Sequence, residues 1–168
     1  MSAHVWRAEP AEAEIVARLL VGFRDELGRD WPSANAFLAS VERLIERTDT
    51  EYLLGAPHAD APPAGVVQLR YRFGVWYAAE DCHLEDLFVE RDARGSGLGS
   101  ALVAAAIERA SERGCSRVEL DVNESNAPAR ALYERHGFAT GGSAFGDHQG
   151  RDLFMRRRLA GDEGTSGA

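Results

Sequence analysis

The sequence has little cysteine and no long hydrophobic run. Cys82 and Cys115 are the two cysteines, and they form no CxxC or CxxH pattern, so structural zinc is not expected. The histidines likewise show no metal-ligand spacing. No apolar run approaches the roughly 20 residues that would span a bilayer, and the first residues do not form a signal-peptide pattern. These absences predict a reduced, cytoplasmic chain with no metal and no membrane partner.

Positive charge is also scarce. The 168 residues carry 19 Lys+Arg against 27 Asp+Glu, which gives a formal net charge of −8. Phosphate contacts need a basic face, so this balance argues against a nucleic-acid partner. An acidic surface raises the local concentration of cations, and it therefore suits a cationic substrate.

Length and composition fit one globular domain. Hydrophobic residues make up 45% and charged residues 27%, a profile typical of soluble proteins with a real core. We predict a single domain over residues 1–159 and a flexible tail over residues 160–168. The glycine, serine, threonine and acidic residues of that tail cannot bury a core.

The periodicity of apolar residues predicts a mixed α/β fold. Helical spacing indicates helices over residues 10–27, from residue 33 onward, and over residues 99–113 and 127–136. Strands are indicated over residues 5–7, 52–54, 65–73, 75–77, 82–89, 117–122, 138–145 and 152–159, with a hairpin turning at Gly74. The one strong strand-helix-strand crossover lies in the middle of the chain, among otherwise antiparallel strands.

The loop at residues 91–100 is the most informative stretch. It reads Arg-Asp-Ala-Arg-Gly-Ser-Gly-Leu-Gly-Ser and lies between the predicted strand 84–89 and the predicted helix 99–113. Three alternate glycines let the backbone approach a ligand closely. Their amides, and those that open the helix, favour an anion such as a diphosphate, and Arg94 adds positive charge. A plain turn is the alternative interpretation.

Two other phosphate-binding motifs fit this loop less well. A P-loop needs a lysine and then serine or threonine after its last glycine, and Leu98-Gly99-Ser100 has no lysine. A dinucleotide fingerprint that starts at Gly95 would need glycine or alanine where Ser100 stands, and it normally follows the first strand of a domain.

The pattern Arg94-x-x-Gly97-x-Gly99, directly after a strand, resembles the coenzyme A-binding signature of GNAT N-acetyltransferases. A second motif of that family follows at the expected distance, over residues 126–138. The two motifs cover roughly residues 84–138. Within the family, the segment 84–89, Leu-Glu-Asp-Leu-Phe-Val, is similar to diamine acetyltransferases.

The resemblance implies the GNAT fold, a mixed and mostly antiparallel central sheet flanked by helices. Acetyl-CoA would bind where the strands 84–89 and 117–122, the fourth and fifth of that fold, splay apart. The family pattern implies that backbone groups of Leu87, Phe88 and Val89 pair with the pantetheine arm and that Asn126 touches the coenzyme. It also implies a pyrophosphate site at the amides of Gly95, Ser96, Gly97, Leu98, Gly99 and Ser100, beside Arg94.

Acetyl transfer to an amine poses two proton problems. An alkyl ammonium with a solution pKa near ~10.4 must lose a proton, and the departing thiolate must gain one. The family places a general-acid tyrosine at Tyr133, although packing in a helix would also explain this residue. Glu85 is the leading candidate base, directly or through a water, because alternation puts it on one strand face with Leu87 and Val89, and such apolar neighbours favour proton uptake near neutral pH.

Other polar and aromatic residues have two interpretations each. His83 is an alternative base, and a solvated strand-end residue is the alternative for both His83 and Glu85. Glu119 and Asp121 would anchor a cationic acceptor or form a plain charged strand face. The tryptophans are expected to be packing residues, although Trp31 lies between two helices, where this family often forms its acceptor pocket.

We therefore predict an acetyl-CoA-dependent N-acetyltransferase that acts on a primary amine of a small molecule, polyamine-like or other, by direct attack in a ternary complex. A homodimer is possible because dimers are common in this family. Two other classes remain open. One is a non-catalytic acyl-CoA sensor, and the other is an NAD-dependent oxidoreductase that uses residues 95–100 as a dinucleotide loop.

Overall fold

The computed structural model describes residues 2–143 and 152–159. The predicted tail over residues 160–168, and the end of the strand predicted to reach residue 145, lie outside the described residues. Within them the element order is β1 (His4–Arg7), α1 (Ala13–Glu26), α2 (Ala34–Ile45), β2 (Thr50–Ala56), β3 (Gly65–Gly74), β4 (Ala79–Val89), α3 (Leu98–Glu112), β5 (Arg117–Asn123), α4 (Ala127–Arg135), β6 (Ala139–Ser143) and β7 (Asp152–Arg158). Short 3₁₀ turns at Pro10–Glu12 and Arg91–Ala93 precede α1 and α3.

The strands form one sheet in the order β1-β2-β3-β4-β5-β7-β6. The pairs β1/β2, β2/β3, β5/β7 and β6/β7 are antiparallel, whereas β4 and β5 are parallel. The sheet is therefore mixed and mostly antiparallel, which confirms the predicted fold class. The parallel ladder runs from Asp81↔Arg117 to His83↔Glu119, and both strands continue past its last pair, to Val89 and Asn123.

The chain divides into two compact units. The first unit contains Met1–Arg70 and Asp86–Ala106, and the second contains Tyr71–Glu85 and Ile107–Ala168. No helix in the described parts of either unit is both long and apolar enough to cross a membrane.

The first unit has helices on both faces of its strands. On one face, α1 and α2 share a buried apolar cluster with side chains of β2, β3 and β4, including Tyr52, Leu54 and Phe88. On the other face, Gly55 and Gly65 leave room for leucines of α3, since a Cβ on either glycine would come within 3 Å of a leucine methyl group. These glycines therefore set how closely α3 approaches the strands.

Local signals determine where α2 and α4 begin. Ser33 is the N-cap of α2, and its side chain accepts a hydrogen bond from the Ala36 amide at 3.2 Å. Asn126 caps α4 in the same way through the Ala129 amide at 3.3 Å, and Pro128 stands in the first turn. Both helix starts agree with the prediction from sequence.

The hairpin between β3 and β4 differs from the prediction. Residues 75–77 were expected to form a strand, but residues 75–78 form the turn, with Ala78 at a φ of 50°. The Tyr77 amide donates to the Gly74 carbonyl at 3.2 Å and closes that turn. Val75 and Trp76 are 85% and 90% exposed, so their apolar character does not reflect burial in a sheet.

The second unit buries charge inside its sheet. Arg117 is 2% exposed, and its Nε lies 3.2 Å from Oδ1 of Asp81, which is 5% exposed. The Tyr77 ring covers the guanidinium, with its centroid 3.3 Å from Cζ. Buried charges of opposite sign are paired because an isolated charge would be strongly disfavoured there.

Candidate functional site

The glycine-rich loop lies wholly in the first unit, just before α3. Gly95 and Gly97 have φ values of 79° and 84°, a backbone conformation that side chains rarely adopt. A Cβ added at either position would meet nothing within 4 Å, so these glycines are required by backbone conformation and not by crowding. The hydroxyl of Ser96 donates to the Ala93 carbonyl at 2.6 Å and closes a turn over residues 93–96.

The start of α3 supplies amides at the end of this loop. The Ala101 amide donates to the Gly97 carbonyl at 3.0 Å, and the amides that precede it in the first turn have no acceptor within the helix itself. The helix dipole makes such a terminus attractive to anions. Leu98 is 1% exposed, so its side chain anchors the helix start while the neighbouring loop stays exposed.

Arg94 is held by three contacts within the first unit. Its Nε donates to the Val89 carbonyl at 3.0 Å, and its Nη2 lies 2.6 Å from both carboxylate oxygens of Glu26. The guanidinium also lies 6.0 Å from the centroid of the Phe88 ring. Arg91 approaches the same carboxylate at 3.8 Å. The predicted positive charge is present at the loop, and Glu26 partly neutralises it.

The strand residues predicted to pair with pantetheine form the end of β4. Phe88 is 7% exposed and stacks on Phe23 of α1, with ring centroids 5.5 Å apart. Its side chain fills the space beside Gly22, where a Cβ would lie 3.2 Å from the ring. Leu87 and Val89 on either side are half-buried. The inward Phe88 thus fixes this segment on α1.

The residue before this segment has an unusual backbone. Asp86 has a φ of 55° within β4, a conformation uncommon for residues other than glycine and tolerated best by Asn, Asp and His. A left-handed residue interrupts the regular alternation of a strand. The prediction that Glu85 shares one face with Leu87 and Val89 assumed unbroken alternation, so it has lost that support.

Tyr133, the predicted general acid, lies in the second unit on α4. It is 7% exposed, and its ring packs edge-on against Phe138 with centroids 5.8 Å apart. Burial raises the pKa of Tyr133 to about 12. The phenol therefore carries its proton throughout the neutral range. Asn126, predicted to touch the coenzyme, is exposed at the start of the same helix.

The candidate bases and acceptor anchors of the second unit differ in their surroundings. His83 Nε2 lies 3.7 Å from Oδ2 of Asp121, and both side chains are partly exposed. Glu119 is 7% exposed and lies 3.0 Å from Nε of Arg156. This ion pair supports the interpretation of Glu119 as a charged strand residue over that of an acceptor anchor. Glu85 is half-buried, next to Asp86 in the chain.

An open cavity in the first unit was not predicted as a whole. It has a volume of about 120 Å³ and lies among the end of α1, the loop to α2, the start of α2 and Asp86. Trp31 lines it and is 65% exposed, so Trp31 is not a packing residue. Only the position of Trp31 between two helices pointed to this region in the sequence. Among the residues that the structure describes, no three His, Cys, Asp or Glu side chains are grouped to hold a metal ion.

Comparison with curated proteins finds short but close matches. A mycothiol acetyltransferase from Salinispora tropica is 54% identical over 54 residues, which is 32% of this chain and 18% of that protein. The chain spans less than half of the length of the curated relatives that it matches here.

Solved structures match over nearly the whole chain. An acetyltransferase of the GNAT family from Streptococcus pneumoniae has a TM-score of 0.70 at 24% identity and covers 94% of this chain and 99% of its own. Spermidine N-acetyltransferase from Vibrio cholerae, in complex with CoA and spermine, has a TM-score of 0.75 at 16% identity, with coverage of 94% and 95%. These TM-scores establish a shared fold, and at identities this low they establish the fold alone.

The sequence profile of the Acetyltransferase (GNAT) family matches residues 17–138. That span contains most of α1, the glycine-rich loop and Tyr133, so the match includes the elements from which the site was built. The chain belongs to the GNAT acetyltransferase family.

Proposed function

We propose that this protein transfers the acetyl group of acetyl-CoA to the primary amine of a small molecule. The observation that carries the proposal is the loop of the first unit, where Gly95 and Gly97 have positive φ and face open space at the start of α3. Such a loop suits a diphosphate, because its amides approach without side chains between them. Membership of the GNAT family makes coenzyme A the natural source of that diphosphate.

Residues of the first unit would hold the coenzyme. The amides over residues 95–100 would bind the diphosphate, and Arg94 would add a charge-assisted hydrogen bond to it. The backbone of Leu87, Phe88 and Val89 would pair with the pantetheine arm, on a segment that Phe88 fixes against α1. Asn126 of the second unit would contact the coenzyme while it caps α4.

Residues of the second unit would move the protons. Acetyl-CoA supplies an activated thioester when it is bound. Glu85 would take a proton from the ammonium, directly or through a water, and the freed amine would form the new C–N bond as the C–S bond breaks. Tyr133 would donate its phenolic proton to the departing sulfur. The nitrogen would lose its second proton as the C–S bond breaks, and that proton would reach the Tyr133 phenolate through solvent and restore the phenol. Glu85 would release the first proton to solvent, so that one proton is released for each amide formed.

His83 is a second candidate for the base. Asp121 lies 3.7 Å from its Nε2 and would hold the ring in place. Glu85 remains the first choice in this proposal because it is half-buried next to the segment 86–89. The variants Glu85→Gln and His83→Gln distinguish the two candidate bases. Only the variant that lacks the base should lose the increase of kcat/KM with rising pH.

The acceptor is proposed as a small primary amine, polyamine-like or other. The net charge of −8 favours a cationic substrate. Cys82 and Cys115 are buried and are not joined in a disulfide, which supports a reducing, cytoplasmic setting. A homodimer is also proposed, on the grounds of family resemblance alone.

Calorimetric titration with acetyl-CoA, with NAD as the control ligand, tests the loop assignment. We expect micromolar binding of acetyl-CoA and none of NAD. Binding of NAD that coenzyme A does not displace would instead indicate the oxidoreductase. Acetyl-CoA binding with no thiol release for any amine would indicate a non-catalytic sensor. The assay is favourable, because all 19 basic residues are arginine and the chain has no lysine that could accept acetyl groups.

Tyr133→Phe tests the proposed general acid. The variant keeps the ring that packs on Phe138, so it should bind acetyl-CoA normally, yet turnover should fall by roughly 100-fold or more. Tyr77→Phe is the matched control, since it removes a hydroxyl from a ring that packs on Arg117 and has no proposed catalytic role. Unchanged turnover in Tyr133→Phe would contradict the role of Tyr133.

A further inference from the structure

The hairpin between β3 and β4 exposes four large apolar side chains of the second unit. The exposed fractions are 62% for Phe73, 85% for Val75, 90% for Trp76 and 43% for Tyr77. We call these four side chains the hairpin patch. Together they offer roughly 500 Å² of surface to a partner. The largest apolar patch on a typical monomer measures about 300–600 Å² and often has a function.

Contacts within the second unit restrict the conformation of the hairpin patch. The Tyr77 ring lies over Gly74, where a Cβ would come within 2.9 Å of it, and the Tyr77 amide donates to the Gly74 carbonyl at 3.2 Å. The same ring stacks on the buried guanidinium of Arg117, with its centroid 3.3 Å from Cζ. A surface that is already ordered loses less conformational entropy when a partner binds to it.

The charge around the hairpin patch is opposite to that of the whole chain. Residues 70–79 contain two arginines and no acidic residue, whereas the chain has a net charge of −8. Arg72, directly before Phe73 in the chain, is exposed. Aromatic residues and arginine, without lysine, are the composition typical of protein interfaces. The net charge of −8 disfavours nucleic acids and anionic lipids, so the patch suits a protein surface that carries carboxylates.

A second copy of this chain meets these requirements. Its excess of carboxylates provides partners for Arg72, and its own hairpin patch is an apolar surface of the same size. Two identical patches can cover each other across a two-fold axis, which is the commonest symmetry of homo-oligomers. Together they would bury about 1,000 Å², which reaches the lower limit for a specific interface.

We propose that two copies of the protein associate through their hairpin patches, with the two-fold axis beside Val75. Val75 is the central residue of the patch, so this placement covers all four side chains at once. Trp76 packs on the patch of the second copy, and Arg72 pairs with one of its carboxylates. The inference gives the homodimer an interface, and it does not depend on the acetyltransferase chemistry.

Trp76→Ser tests the interface, with association measured by sedimentation velocity over a range of protein concentrations. The unmodified protein should dimerise, and the variant should raise the Kd of the dimer by roughly 30-fold or more, since a tryptophan anchor dominates such interfaces. Trp31→Ser is the matched control, because Trp31 is 65% exposed in the first unit, and it should leave the Kd unchanged. A monomeric unmodified protein, or equal Kd values for the two variants, would overturn the inference.

Val75→Cys tests the position of the two-fold axis. Under oxygen with a copper catalyst it should form a disulfide between copies at least about tenfold faster than Ser40→Cys, because a disulfide requires Cα atoms within about 7 Å of each other. Ser40 is exposed on α2 and serves as the control position. Cys82 and Cys115 are buried, so they do not compete. Equal rates of cross-linking would overturn the placement of the axis.

Arg72→Glu tests the charged contact. It should raise the Kd of the dimer by about tenfold, and by less at high salt, whereas Arg43→Glu, an exposed position on α2, should not. An unaltered Kd in Arg72→Glu would overturn the pairing of Arg72. A monomer that binds neutral phosphatidylcholine vesicles through Trp76 would assign the patch to a membrane surface and overturn the inference. Failure to bind acetyl-CoA would contradict the proposed function and leave this interface standing.

Discussion

Arg94 in the first unit and Arg117 in the second are both paired with carboxylates and both lie against an aromatic ring, yet their environments are opposite. The side chain of Arg94 is 44% exposed and that of its partner Glu26 is 33% exposed. The side chain of Arg117 is 3% exposed and that of its partner Asp81 is 7% exposed. Water can replace the partner of Arg94 but not that of Arg117.

The difference separates a residue that is available to a ligand from one that maintains the fold. An exposed ion pair contributes roughly 0–1 kcal/mol, because solvent screens it and because ordering two side chains opposes it. The free-energy cost of replacing Glu26 with a phosphate as the partner of Arg94 is therefore small. A buried pair cannot lose one member without leaving an uncompensated charge. Arg117 is therefore expected to matter for stability and Arg94 for binding.

Arg117→Met should produce the largest effect. It leaves the carboxylate of Asp81 buried without its guanidinium partner, while the Ser116 hydroxyl still donates to it at 3.3 Å, and breaking such a buried pair destabilises a protein by about 3–5 kcal/mol. Urea unfolding followed by circular dichroism measures the change. Arg18→Met is the control, because Arg18 also forms an ion pair, with Glu90 at 2.6 Å, but its side chain is 54% exposed. Equal losses in the two variants would remove the distinction drawn between buried and exposed arginines.

Arg94→Ala should act on binding instead. Loss of one charge-assisted hydrogen bond to the diphosphate should raise the Kd for acetyl-CoA by roughly tenfold or more, with little change in the free energy of unfolding. Calorimetry at two salt concentrations measures it, and the difference from the unmodified protein should shrink at high salt. The same Arg18 position, as Arg18→Ala, serves as the control and should leave the Kd unchanged. A strongly destabilised Arg94→Ala variant would show that this arginine too is chiefly structural.

Glu26→Gln should have a smaller effect in the opposite direction. The carboxylate lies 2.6 Å from Nη2 of Arg94 and 3.8 Å from Nη2 of Arg91, so it competes with a phosphate for both guanidinium groups. Neutralising it should tighten acetyl-CoA binding a few-fold at low salt and less at high salt. Weaker binding would mean that Glu26 positions Arg94 for the ligand and does not compete with it.

The glycine-rich loop was predictable because its signals are local. Positive φ at Gly95 and Gly97 reflects the freedom of single residues, and the helix that follows has its own apolar periodicity. The pairing of Arg94 with Glu26 was not predictable, because the two residues are 68 positions apart and no pattern links them. Contacts between residues so far apart in the sequence depend on how α1 packs in the first unit. No local sequence motif specifies that packing.

Residues 75–77, which lie in the turn between β3 and β4, were wrongly predicted to form a strand. Val, Trp and Tyr favour strands because they usually pack on a half-buried surface. Here Val75 and Trp76 are almost fully exposed, so they do not pack on the kind of surface from which this preference arises. The left-handed backbone of Asp86 was missed for a related reason, since alternation of burial describes an ideal strand and carries no information on where it is interrupted.

His136 offers the smallest and most specific test, because burial and the charges of two arginines act together on its imidazole. Burial lowers the pKa of His136 first, and the charges of Arg135 and Arg157 lower it further. The folded state therefore takes up a proton less readily than the unfolded state, whose histidine has a pKa near ~6.5. As pH falls through that value the unfolded state binds more protons, so the free energy of unfolding should decrease from pH 7 toward pH 5.5. His136→Gln should flatten this part of the profile, measured by urea unfolding, whereas His4→Gln, a histidine of the first unit, should leave it unchanged. A slope that persists in His136→Gln would mean that other groups carry the pH dependence and that the arginines near this histidine do not affect stability.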